Sequence, residues 1–132
     1  MMTRTATTAP PRRAVEALYA TGHWLYSQQR VAHALVVFRA LIHLAPEDER
    51  GWLALGACHE VHGQHDIALR LYDSARSVAP SAPRCEIARS RILRARGLED
   101  AARDAIEEAA RIAEEMHDDD LQTLVAAERK RL

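Results

Sequence analysis

A period of 34 residues runs through the chain: Ala34, Ala68 and Ala102 are separated by 34 each time, as are Phe38, Tyr72 and Ile106, and Leu41, Ala75 and Ala109. Gly22 and Gly56, Gly63 and Gly97, and Pro46 and Pro80 keep the same interval. Chance rarely aligns small, large and turn residues together, so the chain is read as an array of one repeated unit. From Ala14 onward apolar residues recur at spacings of three and four with no sustained alternation, a helical pattern. Pro46, Gly63, Pro80, Pro83 and Gly97 divide it into segments the length of ordinary helices joined by tight turns.

The physical roles fit stacked helical hairpins. Small residues at Gly22, Ala34, Gly56, Ala68 and Ala102 let helix backbones approach, and Phe38, Tyr72 and Ile106 fill the space beside them. Proline then ends the second helix, and stacking buries a face that one hairpin alone leaves wet. The expected units are 15–48, 49–82 and 83–116, with Gln29 in place of the turn glycine in the first, and Ser90 and Glu114 in place of Gly and Pro in the third. The middle unit carries Trp52, Leu55-Gly56, Gly63, Ala68, Tyr72, Ala75 and Pro80, and resembles the tetratricopeptide repeat. The expected fold is all-α: three tetratricopeptide-like hairpins stacked as a short right-handed superhelix with a C-terminal capping helix at about 118–132. Residues 1–13, with four Thr and two adjacent Pro, read as a flexible leader. The run Asp118 to Asp120 has two readings, a helix start or a solvated acidic linker.

In such a stack the first helices line a concave face. Helical spacing from Gly22, Gly56 and Ser90 projects Tyr19, His23 and Tyr26 inward from unit one, Leu53, Ala57 and Val61 from unit two, and Ile87, Arg91 and Arg94 from unit three. A mostly apolar groove with a basic end suits an extended peptide. Tyr19 and Tyr26 are read as anchors or as packing between helices, and Arg91 and Arg94 as partner contacts or solvated surface. The stretch 84–96 holds five Arg and one Glu, and 97–120 ten acids and two Arg. That basic cluster either steers an acidic segment or is neutralised by the acidic stretch beside it.

The 18 Lys and Arg against 19 Asp and Glu give a net charge of -1, and the short basic cluster lacks interleaved aromatics, so no nucleic-acid partner is expected. His59, His62 and His65 are too few and too broken by Gly63 for a zinc site, and neither Cys58 nor Cys85 has an assignable base. No metal, cofactor or catalytic residue is expected, and no enzyme. Without a signal-peptide core or a long apolar run the chain is expected to be soluble and cytoplasmic, with no stable membrane insertion.

A narrower resemblance rests on Ala34 to Leu41, on Asp48 to Cys58 with its Leu-Gly-Ala-Cys, and on Gly63 to Tyr72 with its Gly-Gln-x-Asp-x-Ala. With Pro80, Pro83-Arg84, Leu93 and Gly97, these resemble the class II chaperones of bacterial type III secretion. The resemblance implies a chaperone of a Gram-negative bacterium that consumes no ATP. In its concave groove it holds an extended segment of a hydrophobic translocator before export. It also implies that the groove aromatics fall on Tyr19 and Tyr26, and leaves a homodimer open. The alternatives are a chaperone of the secretion needle subunit and a generic tetratricopeptide interaction scaffold.

Overall fold

A computed structural model describes residues 11–132 as seven helices: α1 (Arg12–Ser27), α2 (Val31–Leu44), α3 (Glu49–Val61), α4 (His65–Val78), α5 (Pro83–Ala95), α6 (Glu99–Met116) and α7 (Asp119–Arg129). The sequence period is the structural period, because α2, α4 and α6 start 34 residues apart and so do α3 and α5. Helix α1 already starts at Arg12, inside the stretch read as a leader; the rest of that stretch, 1–10, lies outside the described residues. Pro83 opens α5 rather than separating helices, since the first helical position asks no amide of it.

Each hairpin turns by the same device. Gly63 and Gly97 take positive φ (71° and 77°), and the following residues Gln64 and Leu98 donate their amides to the carbonyls of His59 and Leu93. These bonds satisfy carbonyls that a helix end leaves free. In the first unit Gln29 takes the same left-handed conformation at φ 62°, with Arg30 N donating to Leu25 O at 2.9 Å, so the turn is kept and a non-glycine residue bears the strain. His117 repeats it at the end of α6 (φ 51°), with Asp118 N donating to Ala113 O. The Asp118 carboxylate then accepts from Leu121 N at 3.0 Å and caps α7.

Within each hairpin a small residue on the first helix faces a large one on the second. A methyl on Gly22 would collide with the Phe38 ring, and one on Gly56 with the Tyr72 ring. In unit three Ser90 faces a smaller partner, Ile106, and its hydroxyl donates to Ala102 O at 3.0 Å, so the serine is tolerated without exposing a polar group.

Helices α1 and α3, α3 and α5, and α5 and α7 touch in succession, whereas α2, α4 and α6 do not approach one another. The first helices of the hairpins therefore form the inside of the curve. The buried clusters bridge the joints: Leu55 and Cys58 of α3 pack with Phe38 and Leu41, Cys85 and Ile92 of α5 with Tyr72 and Ala75, and Leu121 and Val125 of α7 with Ile87 and Ile106. Trp24 stands in the register of Cys58 and Ile92, yet no hairpin precedes α1 among the described residues and its side chain is 56% exposed.

Polar contacts also cross the joints. Trp52 Nε1 donates to Pro46 O at 2.8 Å, and Glu49 Oε2 accepts from the Arg84 and Cys85 amides at 3.1 and 3.3 Å, supplying the start of α5 with the acceptor that Ala82 lacks. Glu86 of α5 is 2% exposed. Arg76 Nε of α4 lies 2.6 Å from its Oε1 but off a hydrogen-bonding direction, so both carboxylate oxygens lack a donor. Burial outweighs Arg76 and Arg89 and pushes the Glu86 carboxyl up.

Two sets of stability changes are expected in urea unfolding. Gly56→Ala should cost about 2 kcal/mol through the ring of Tyr72, and Gln29→Gly should gain about 1 kcal/mol by relieving the left-handed turn. Because an acid whose folded pKa is raised is penalised above that pKa, Glu86→Met should stabilise by about 1 kcal/mol at pH 7, the gain shrinking as pH falls towards 4.5.

Candidate functional site

The inner face is made by α1, α3 and α5, the helices that carry the nine residues expected to line a groove. Tyr19 and Tyr26 are half-buried and His23 is exposed; Leu53 and Ala57 are half-buried, and Val61 is 55% exposed. These six, from the first two units, offer surface.

Tyr19 is already engaged. Its ring lies 6.5 Å from that of Phe38 and 6.1 Å from that of His23, and the Arg50 guanidinium sits 4.7 Å above it. Arg50 is itself held between Glu16 of α1 and Asp48, which caps α3 by accepting from Arg50 N at 3.0 Å. The bonds to Arg50 hold both carboxyls below the usual carboxylate range. This network ties unit one to unit two and covers one face of the Tyr19 ring.

Tyr26 lines an open cleft of about 750 Å³ with Val31, Ala32 and Val61, between the α1–α2 turn and the C-terminal end of α3. One repeat further on, a smaller cleft of about 300 Å³ is lined by Glu60, His65, Arg91, Ile92, Ala95 and Arg96. Here Glu60 stands in the register of Tyr26, and its Oε2 accepts from the Tyr72 hydroxyl at 2.6 Å. Burial and this carboxylate together push the Tyr72 phenol well above its ordinary range.

Unit three is different. Ile87 is 3% exposed, packed with Ile106, Leu121 and Val125, and so lies under α7 instead of on open surface. Arg91 Nε lies 2.7 Å from Glu128 Oε1 and Arg94 Nη1 3.5 Å from Oε2; Glu128, on α7, is 2% exposed. The basic end of the face is thus met by an acid from the same chain. Arg84, Arg89 and Arg96 of the same cluster are paired likewise, with Glu49 and Asp118, with Asp73, and with Asp66.

Sequence reasoning passed over Arg50, Glu60 and Glu128. Arg50 had a signal, because Glu16, Arg50 and Arg84 keep the 34-residue interval on the inner face. Glu128 had none: α6 is 18 residues long against 14 for α2 and α4, so α7 leaves the register.

The thiols are poised against nucleophilic chemistry. Burial pushes Cys58 up to about 11, and burial with Glu49 beside it pushes Cys85 higher still. His59 is 8% exposed and sits 2.8 Å from Gln64 Oε1 through Nδ1, away from the exposed His62 and His65. Among the described residues no three His, Cys, Asp or Glu side chains converge as a metal site, and no helix is long and apolar enough to cross a membrane. What the inner face offers is shape and apolar surface.

No protein-family model matches the sequence, and no curated protein matches it closely. Solved structures do. The type III secretion translocator chaperone SycD of Yersinia enterocolitica is 28% identical with a TM-score of 0.77, the match covering 89% of each chain. PcrH in complex with the chaperone binding region of PopB is 26% identical at a TM-score of 0.77, over 92% of this chain and 97% of that one. PcrH from Pseudomonas aeruginosa is 25% identical at the same TM-score, over 92% of each.

Glu128→Ala should loosen α7 without unfolding the hairpins. Loss of the charge-assisted contacts to Arg91 and Arg94 should cost about 2 kcal/mol, read as faster hydrogen exchange confined to α7 and the C-terminal turn of α6. Along about nine-tenths of its length the chain is similar in fold and sequence to solved translocator chaperones of type III secretion.

Proposed function

We propose that this chain is a cytoplasmic chaperone that holds an extended segment of a hydrophobic type III secretion translocator on the inner face of α1 and α3. It keeps that client soluble and unassembled until export. The observation that carries this reading is the open cleft lined by Tyr26, Val31 and Val61, where Val61 is 55% exposed and no acid joins the lining. The likeness to a chaperone solved with the chaperone binding region of PopB supports the same kind of partner.

The chemistry required is modest. Holding a sticky segment and releasing it needs affinity and a dissociation rate, and no bond is made or broken. An aliphatic or aromatic side chain entering the cleft leaves water and meets Tyr26, whose ring supplies a flat apolar wall with a hydroxyl at its end. Leu53 and Ala57 continue that surface towards the Arg50 network. The segment is extended because the inner face is a curved strip that offers successive sites one repeat apart.

The test is affinity capture of the tagged chain from its own bacterium with secretion blocked, followed by mass spectrometry. A soluble complex with a protein carrying long apolar segments is expected. A small polymerising needle subunit, or an unrelated assembly, would replace this reading with the corresponding one. Val61→Asp and Tyr26→Ala should each weaken capture about tenfold while circular dichroism stays helical; undiminished capture by both would move the binding site elsewhere.

A further inference from the structure

The two clefts on the inner edge are the same place in successive repeats, and their charges differ. In the second, Arg96 is paired with Asp66, and Glu60 adds a carboxylate to the lining. In the first, the 34-residue register puts Ala32 where α4 has Asp66, Tyr26 where α3 has Glu60, and His62 where Arg96 follows α5. The first cleft accordingly has no acid in its lining, while Arg30, His33 and His62 stand at its rim. All three are exposed, and Arg30 forms no ion pair among the described residues, although most arginines of units two and three are paired.

From this contrast we propose that the first cleft reads a carboxylate adjoining the apolar anchor of the client segment: an Asp or Glu within one or two residues of the side chain that enters between Tyr26 and Val61. The inference rests on the proposed function and adds to it a rule for which stretch of the client is chosen. The floor of the cleft is apolar and takes the anchor. The rim offers a guanidinium with five donors and two imidazoles, all free of internal acids, and an anion is the complement of that rim. Arg30 is the principal contact, because its charge does not depend on pH and its fork matches a carboxylate. The second cleft, neutralised within the chain, has no such demand, so the acid is expected on one side of the segment only and fixes the direction in which the segment lies.

Rim charges of this exposure change affinity severalfold and association rate more strongly. The test uses overlapping 15-residue synthetic peptides that tile the client recovered by affinity capture, each made a second time with every Asp and Glu replaced by Asn and Gln. Binding to the full chain is followed by fluorescence anisotropy at low and at physiological salt. The expected result is that the binding tiles carry an acid beside an apolar residue, that neutralising it weakens binding about fivefold at low salt, and that Arg30→Gln weakens the acidic tile equally but leaves the neutral tile unchanged. If Arg30→Gln and neutralisation leave binding untouched while Val61→Asp abolishes it, the rule is overturned and the chaperone reading stands. If no tile binds the unmodified chain, both fall.

Discussion

The contact of a small residue on the first helix with a large ring on the second sets the geometry of everything else. Gly22 under Phe38 and Gly56 under Tyr72 bring the two helices of a hairpin closer than a methyl group would permit. That closeness has a cost, since glycine inside a helix is less favourable than alanine by about 1 kcal/mol. It is offset by the burial of a whole aromatic ring, with Phe38 and Tyr72 both 2% exposed or less. Once the hairpins have that shape, their stacking follows from the remaining apolar residues. Each cluster spans a joint, and no hairpin is complete without its neighbour.

Curvature gives the stack a continuous inner strip. With α1, α3, α5 and α7 touching and the second helices apart, the inner strip is lined by the outward edges of helices whose other sides are fully committed to packing. Two kinds of chemistry compete for that strip. Arg50 with Glu16 and Asp48, and Arg91 and Arg94 with Glu128, spend charge on holding the stack together. Between those two brackets lie the half-buried Leu53 and Ala57 and the exposed Val61. A carrier of extended apolar segments needs this division, because a face closed by charge everywhere would bind nothing and a face open everywhere would associate with itself.

Much of the fold was legible in the residues. The interval of 34 carries helix boundaries, turns and the small-to-large pairs, because each is a local requirement of a residue type: glycine for positive φ, proline for a first helical turn, an aromatic beside a missing side chain. Gln29 shows the limit of that legibility. Its turn is left-handed like those at Gly63 and Gly97 even though the local preference is lost, since the hydrogen bonds on either side and the packing of the hairpin impose it. The site was legible in part. Tyr26 and Leu53 are half-buried and Val61 is exposed, whereas the helix that covers Ile87 lies outside the period.

The sequence by itself determined the repeat, its helices and the side of each first helix that faces inward, because these follow from nearest-neighbour sterics and a rigid helical period. Tertiary structure alone decided which of the inward residues remain available. Glu128 reaches Arg91 and Arg94 only because α6 runs one turn longer and brings α7 across α5, and Arg50 covers Tyr19 only because α1 and α3 are held in contact. Coulombic pairing acts across space without a sequence period, so the neutralisation of one end of the face, and the freedom of the other, is set by where the helices come to rest.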